Sequence, residues 1–154
     1  MTLYFDTKGH MLMERSLVLS VSLGTGCYRH IQIGEGETLM ALSSAILSAF
    51  DFYDDHMHAF FMNNRAWDSD AEFVCPGGDL DGARGFTDKV KLSKFRFIKG
   101  DKFLYIFDFG DDWRFQIKVL RVIDEPVKRY VILKSIGLVS QYGNEFDEDD
   151  DENF

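Results

Sequence analysis

The segment FLYIFDFGDDWRFQIKVLRVI, residues 103–123, decides the fold because apolar residues alternate on both sides of a central turn. The residues that share one face are Phe103, Tyr105, Phe107 and Phe109 in the first run and Trp113, Phe115, Ile117 and Val119 in the second. A period of two is typical of a β-strand with one buried face. Gly110-Asp111-Asp112 has turn chemistry, with Gly110 expected to supply a positive φ. The segment therefore predicts an antiparallel β-hairpin with Arg114, Gln116 and Lys118 on its other face.

Shorter patterns on both sides of this hairpin predict one helix and more strands. Alternating or β-rich runs predict strands at 16–23, 28–33, 57–62 and 130–133. Thr38 is a suitable N-cap for a helix over 39–50. The apolar stripe of this helix contains Leu39, Leu42, Ile46, Ala49 and Phe50, and the residues off the stripe are Ser43, Ser44 and Ser48. The first two strands are close enough to form a second hairpin.

The order of these elements predicts an α+β fold. It runs β-β-α-β, a loop-rich insert at 65–90, and β-β-β, which favours a largely antiparallel sheet with one main helix packed on it. The hairpin, helix and strand of the N-terminal part suggest a β-grasp-like arrangement. We expect residues 1–15 to be an arm or leading strand, 16–142 a single domain, and 143–154 an acidic tail.

The charge of the chain is concentrated in that tail. The 154 residues carry 26 acids and 17 bases, a net charge of -9, and seven of the acids lie in EFDEDDDENF at 145–154. Without them, 19 acids and 17 bases remain. An acidic block of this kind predicts disorder, because it repels itself and has little apolar surface to bury. The nearly neutral body does not favour non-specific binding of nucleic acid, which needs Lys and Arg for the phosphates.

Cysteine usage and hydropathy indicate a cytoplasmic chain. Cys27 and Cys75 are far apart, in neither a zinc-binding spacing nor a disulfide framework. No segment has the roughly 18 apolar residues that a membrane span requires. We therefore expect reduced thiols, no membrane association and a cytoplasmic location.

The hairpin motif resembles that of a known family. The run Phe107, Asp108, Phe109, Gly110, Asp111, Asp112, Trp113 is similar to the Tyr-Asp-Phe-Gly-Asp-Asp-Trp signature of plasmid pRiA4b ORF-3-like domains. Upstream, the family's strand, helix and His-x-x-x-Phe pattern is matched by Arg29, Thr38-Leu39, Phe50 and 55–60. The resemblance covers about 16–142 and implies the fold and an association with plasmids and mobile elements, but no established activity. Phe115 stands where the family often has histidine.

Two histidines and two aspartates form a candidate metal site. In a strand, His56 and His58 would point to one face, and Asp111 or Asp112 from the hairpin turn could complete the ligand set. Such a site suits Zn, Mn or Fe(II). The alternative is structural: the histidines form hydrogen bonds and pack, the aspartates cap a tight turn, and Trp113 anchors the hairpin in the core.

A run of bases forms a candidate nucleic-acid site. It consists of Arg84, Lys89, Lys91, Lys94, Arg96, Lys99 and Lys102, interleaved with Phe86, Phe95, Phe97 and Phe103. Bases among aromatics can hold single-stranded nucleic acid. The alternative is a solvated face above core aromatics, with nearby aspartates partly cancelling the charge.

Taken together, these patterns favour a non-enzymatic protein-interaction module. Its partner is expected to be another protein, for example one encoded by the same mobile element. A metal-dependent enzyme built on His56, His58, Asp111 and Asp112 is one alternative. A nucleic-acid-binding accessory protein that uses the bases of 84–102 is the other.

Overall fold

The computed structural model describes residues 3–5 and 11–142. The predicted acidic tail lies outside these residues. The strands are β1 (Leu3–Phe5), β2 (Met11–Met13), β3 (Ser16–Ser22), β4 (Tyr28–Gly34), β5 (His58–Phe61), β6 (Glu72–Val74), β7 (Gly85–Phe86), β8 (Lys102–Phe107), β9 (Trp113–Ile123) and β10 (Tyr130–Ile136). The α-helix is α1 (Leu39–Ala49). Strands β1 and β2 pair antiparallel in the predicted N-terminal arm.

The predicted hairpin is confirmed, with two corrections at its turn. Strands β8 and β9 pair antiparallel, and Phe107 lies opposite Trp113 at the closing end. The turn begins two residues earlier than predicted, because Asp108 adopts a positive φ of 61° and ends β8. The second positive φ is at Asp112, so the expectation for Gly110 is wrong. Since the strand stops, Phe109 leaves the shared face.

Helix α1 follows the sequence closely at its N-terminus. The Thr38 hydroxyl accepts a hydrogen bond from the Ala41 N–H at 3.1 Å, which satisfies one of the free donors of the first turn. The prediction that Ser43 lies off the apolar stripe is wrong, because its side chain is buried. Its hydroxyl is 2.6 Å from the Tyr105 hydroxyl of β8, so a polar contact fixes the helix on the sheet.

One eight-stranded sheet organises the chain, in the order β10-β4-β3-β9-β8-β5-β6-β7. Every pair in it is antiparallel except β6 and β7. The α+β class and the largely antiparallel sheet are confirmed. The β-grasp-like order is not confirmed, because β5, which follows α1, lies beyond β9 and β8 rather than beside the first hairpin. The loop-rich insert contains β6, β7 and the 3-10 turn Ser69–Ala71.

The two faces of the sheet differ in what covers them. One face packs under α1 in a core rich in aromatic side chains, including Phe50, Phe60, Phe103, Tyr105 and Phe115. On the other face a smaller cluster forms at the β5–β8 end, from Ala59, Phe61, Leu104 and Ile106. Phe109 and Trp67 pack against this second cluster. On that side, strands β9, β3, β4 and β10 present mostly exposed or half-buried polar residues, while Ser16 and Val18 of β3 are buried. We call this side the open face.

Strand β10, at the opposite end of the sheet, is exposed. All its residues except the half-buried Tyr130 are exposed. Arg29, which is 5 % exposed, holds the end of the strand by donating to the Ile136 carbonyl at 2.8 Å and the Gly137 carbonyl at 3.0 Å. Gly137 has a φ of 82°, and a Cβ there would clash with the Gly26 carbonyl. The chain therefore needs glycine where it passes the β3–β4 turn.

Candidate functional site

The hairpin turn is built around the side chain and backbone of Asp108. Its Oδ1 accepts the backbone N–H groups of Gly110 at 3.2 Å and Asp111 at 3.3 Å, and its carbonyl accepts the Asp112 N–H at 2.6 Å. Its own N–H donates to the Met57 carbonyl at 2.8 Å. These bonds stabilise the left-handed backbone of a buried aspartate. They also leave Oδ2 directed away from the turn.

Four polar side chains meet beside this turn. The Nε2 atom of His56 lies 3.4 Å from Asp108 Oδ2 and 3.5 Å from Asp55 Oδ1. It is also 3.4 Å from the hydroxyl of Tyr142, which donates a short hydrogen bond to Asp55. We call these four residues the His56 cluster. It joins the family motif, the segment before β5 and the end of the described chain.

Gln141 attaches the last described residues to this cluster. Its side-chain oxygen accepts the Tyr53 N–H at 2.7 Å, and its nitrogen donates to the Tyr53 carbonyl and to Asp55, both at 3.2 Å. The Tyr142 hydrogen bond lowers the pKa of Asp55. The same bond raises the pKa of Tyr142 to about 12. Ionised Asp55 and protonated Tyr142 are therefore the stable pair at neutral pH.

His58 takes a structural position away from this cluster. Strand β5 begins at His58, so the expectation that His56 and His58 share one face of a strand is wrong. Its ring Nε2 shares a hydrogen bond of 2.8 Å with the Thr87 hydroxyl, and both side chains are buried. Burial lowers the pKa of His58 to about 4, which keeps the ring neutral at physiological pH.

The predicted metal ligands do not assemble. Asp111 and Asp112 are both exposed at the hairpin turn, and Asp112 forms an ion pair with Arg114 at 3.1 Å. Among residues 3–5 and 11–142, no group of three or more His, Cys, Asp or Glu residues is placed to hold a metal ion. The two cysteines are free and lie apart, Cys75 buried and Cys27 half-buried.

The predicted nucleic-acid segment is dispersed over several surfaces. Its seven bases are all exposed, but Lys91 lines a cavity of about 520 Å³ with Glu35 and Glu37. Lys94 lies over the Phe73 ring and Lys89 is 3.9 Å from Asp88. The interleaved aromatics mostly pack inward, because Phe97 and Phe103 belong to the core and Phe95 packs against it. These three rings are not free to stack on nucleobases.

Strand β10 and the two residues after it contain five of the twelve large apolar side chains that are exposed in the described ranges. These are Val131, Ile132, Leu133, Ile136 and Leu138. The strand pairs with β4 on one side, and no other strand in the described ranges pairs with it on the other. The sequence predicted a strand here but not that it would be the edge of the sheet.

Comparison with known proteins identifies the family. A model of the family "Plasmid pRiA4b ORF-3-like protein" matches residues 17–136, which is most of the chain. The chain belongs to this family. The resemblance seen in the hairpin motif is therefore confirmed. Among curated proteins, no significant match is found.

A solved structure supports the fold of this pRiA4b ORF-3-like chain. It is the crystal structure of MM3350 from Methanosarcina mazei Go1, described as a protein of unknown function. The two are 24 % identical with a TM-score of 0.65, over 92 % of this chain and 82 % of the other. The similarity extends to the fold alone. No helix within the described ranges is long and apolar enough to span a membrane.

The His56 cluster contains residues that sequence reasoning missed. Tyr142, and Gln141 beside it, were not predicted, because no periodicity links them to Asp55, 86 or more positions earlier. Asp108 was part of the motif, but its contact with His56 depends on how the turn closes. The family motif itself could have indicated that such residues exist, because a polar turn between two apolar strands needs polar partners.

Proposed function

We propose that this chain is a non-enzymatic protein-interaction module that adds an extended segment of a partner protein to the free edge of β10. The observation that carries the proposal is the exposure of an apolar strand at the end of the sheet. Proteins usually protect such edges with charges, proline or a covering element, because a free edge is a template for another strand. In β10, Lys134 is the one charged residue.

The backbone of β10 offers the hydrogen bonds that such a partner needs. The Arg129 carbonyl accepts the Gly34 N–H of β4 at 3.2 Å, so the backbone N–H and C=O groups of Arg129 point towards β4. In an antiparallel strand, the backbone groups of successive residues point to opposite neighbours. Those of Val131 therefore also point towards β4, while the N–H and C=O groups of Tyr130 and Ile132 point outward. A register shift at Leu133 ends this stretch before Lys134. A short extended segment can pair there.

The charges around β10 define the chemistry of the partner. Lys128, Arg129 and Lys134 lie on or just before the strand, and the strand has no acid. Its apolar side chains lie on both faces of the sheet, with Ile132 opposite Ile31 and Val131 opposite Gln32. We therefore infer a partner strand in which apolar residues alternate with acidic ones.

A displayed library of linear peptides tests this proposal. The full chain is the bait, and the variants Ile132→Pro and Ile132→Ala are compared by circular dichroism for folding and by binding of the selected peptides. Proline removes an outward N–H that β4 does not use, while alanine keeps the N–H and removes the side chain. We expect the selected peptides to have apolar residues that alternate with acidic ones. They should bind the unmodified chain, bind Ile132→Ala more weakly and not bind Ile132→Pro.

Two results would contradict the proposal. Peptides that bind Ile132→Pro as well as the unmodified chain would show that β10 is not the site. A dimer in light scattering that becomes a monomer in Ile132→Pro would show that the occupant of the edge is a second copy of the chain. The metal-dependent enzyme gains no comparable support, because His56 and His58 are held by different partners.

A further inference from the structure

Five adjacent strands of the sheet together contain bases but no acid. Strands β10, β4, β3, β9 and β8 have no Asp or Glu in their sequences, in a chain whose net charge is -9. Their side chains on the helix-facing side are mostly apolar and buried. Apart from the buried Arg29, the bases therefore lie on the open face, and positive charge is concentrated on one side of the sheet.

The strand register places these residues in one row. Cross-strand partners from β10 to β8 are Lys134 with His30, His30 with Ser20, Ser20 with Lys118, and Lys118 with Lys102. Arg121 lies beside this row, opposite Val18. The row crosses five strands, which at ~4.8 Å between neighbours spans roughly 19 Å.

The charges of the row are not neutralised within the described chain. None of Lys102, Lys118, Arg121 and Lys134 forms an ion pair with an acid in the ranges 3–5 and 11–142. Lys102 and Lys118 lie directly opposite each other, an arrangement of like charges that destabilises a sheet. A ligand with negative charges would relieve this repulsion.

A groove extends the basic surface beyond the row. Its volume is about 550 Å³, and it is lined by Arg15, Phe97, Ile98, Lys99, Arg121, Val122 and Ile123, again with no acid. Arg15 is held by Glu35 in an ion pair of 2.7 Å. Arg121 belongs to both the groove and the open face, whereas Phe97 and Val122 of the groove belong to the core side of the sheet.

The aromatic side chain of Tyr28 lies beside the row on the same face. The rings of Tyr28 and His30 have centroids 5.2 Å apart, and Lys134 Nζ is 5.6 Å from the centre of the Tyr28 ring. Gln32 and Ser22 add hydrogen-bonding groups beside them. An acidic peptide would use the bases of this face but not the ring. A row of basic side chains beside an aromatic ring and polar groups suits single-stranded nucleic acid. The phosphates would contact the basic side chains and the nucleobases would stack on the ring.

We propose that single-stranded nucleic acid binds across the open face. Its phosphates contact Lys102, Lys118, Arg121 and Lys134, and one of its bases packs on Tyr28. This surface differs from the predicted 84–102 segment, with which it shares Lys99 at the groove and Lys102 in the row. It also lies on a face of the sheet, whereas the proposed protein partner pairs with the outer edge of β10.

Fluorescence anisotropy with a labelled oligo(dT) of about 12 nucleotides tests the proposal on the full chain. The double variant Lys102→Ala/Lys118→Ala is compared with Lys89→Ala/Lys94→Ala, which removes the same charge from the 84–102 segment. We expect the first to weaken binding about tenfold at low salt and to reduce the salt slope by ~0.7 for each phosphate that is no longer neutralised. The second should bind like the unmodified chain. Tyr28→Ala should weaken binding without changing the salt slope.

Three results would overturn the proposal. If the two double variants weaken oligonucleotide binding equally, the effect of charge is not specific to the open face. Poly-glutamate that binds as tightly as the oligonucleotide would indicate an acidic protein ligand instead. The third is that neither the unmodified chain nor a full-length variant binds the oligonucleotide at low salt. In that variant the seven acids in 145–152 are replaced by amides. That variant removes competition from the acidic segment, so its failure to bind cannot be attributed to the tail.

Discussion

Two strands, β5 inside the sheet and β10 at its edge, show opposite relations between hydrophobicity and burial. Strand β5 reads HAFF and is buried at all four positions, although it begins with a histidine. Strand β10 reads YVILKSI, with a more continuous apolar run, and is exposed at six of its seven positions. Each pairs antiparallel with a strand of the central sheet, β5 with β8 and β10 with β4.

The difference arises from what covers each strand. Strand β5 has neighbours on both sides, β8 and β6, with the α1 core on one face and the Phe61 cluster on the other. Among the described strands, β10 has one neighbour, β4, and Arg29 holds it through the backbone carbonyls of its end. Burial is therefore decided by position in the sheet, and apolar residues left at the edge are available for a partner.

The largest expected effect comes from truncating one aromatic side chain in β5. Phe60 is fully buried, with its ring 4.7 Å from that of Tyr105. We expect Phe60→Ala to lower the free energy of unfolding by about 4 kcal/mol, because it removes buried surface and leaves a cavity. Ile132→Ala in β10 should lower it by less than about 1 kcal/mol. Urea unfolding of both variants checks this, and similar decreases would break the comparison.

The second prediction concerns the pH dependence that His58 gives to the buried end. Its pKa is lowered from 6.5 to about 4, so the unfolded chain binds more protons between these values. Stability from neutral His58 is present above pH 6.5 and is lost as the pH falls towards 4, by about 3 kcal/mol.

Unfolding by urea at several pH values measures this dependence. His58→Gln keeps a group that can bond to Thr87 but cannot titrate in this range, so its stability should vary much less between pH 6.5 and 4. An unchanged pH profile in this variant would show that another group is responsible. Asp55, whose pKa is lowered, acts below this window.

The third prediction concerns Arg29, which anchors the exposed end. Its guanidinium donates to the Ala49 carbonyl at the end of α1 and lies 4.4 Å from the centre of the Phe50 ring. We expect Arg29→Met to lower the free energy of unfolding by roughly 2 kcal/mol, since it leaves a buried position without the hydrogen bonds that Arg29 donates to several carbonyls.

The location of this effect distinguishes the two ends. Amide hydrogen exchange in Arg29→Met should rise in β10 and at the end of α1, while β5 and β8 keep their protection. A uniform decrease in protection across the sheet would show that the exposed end is not an independent unit.

Local sequence patterns predicted the elements because the forces involved are local. Alternation in 103–123 predicted β9 with its observed bounds, and Thr38 predicted the start of α1. The end of β8 was missed because Asp108 takes a left-handed conformation held by contacts with Met57 and the turn. Ser43 was placed off the helix stripe because its partner, Tyr105, lies in a distant strand.

The candidate sites depended more strongly on tertiary structure. His56 and His58 are two positions apart, yet the start of β5 between them sends one to Asp108 and the other to Thr87. The seven bases of 84–102 lie close together in the sequence but face several surfaces. The row on the open face was not predicted, because its members come from five different strands and are brought together by register.

The sequence by itself determined the helix, the α+β class, the family and most strands, since each of these depends on the order and periodicity of neighbouring residues. It did not determine β6 and β7 of the insert. The tertiary structure alone decided which strand forms the edge, which polar groups meet at His56, and where the bases align. Those features depend on contacts between residues far apart in the chain. Their geometry is set when strands pair and α1 covers one face, and no local pattern encodes it.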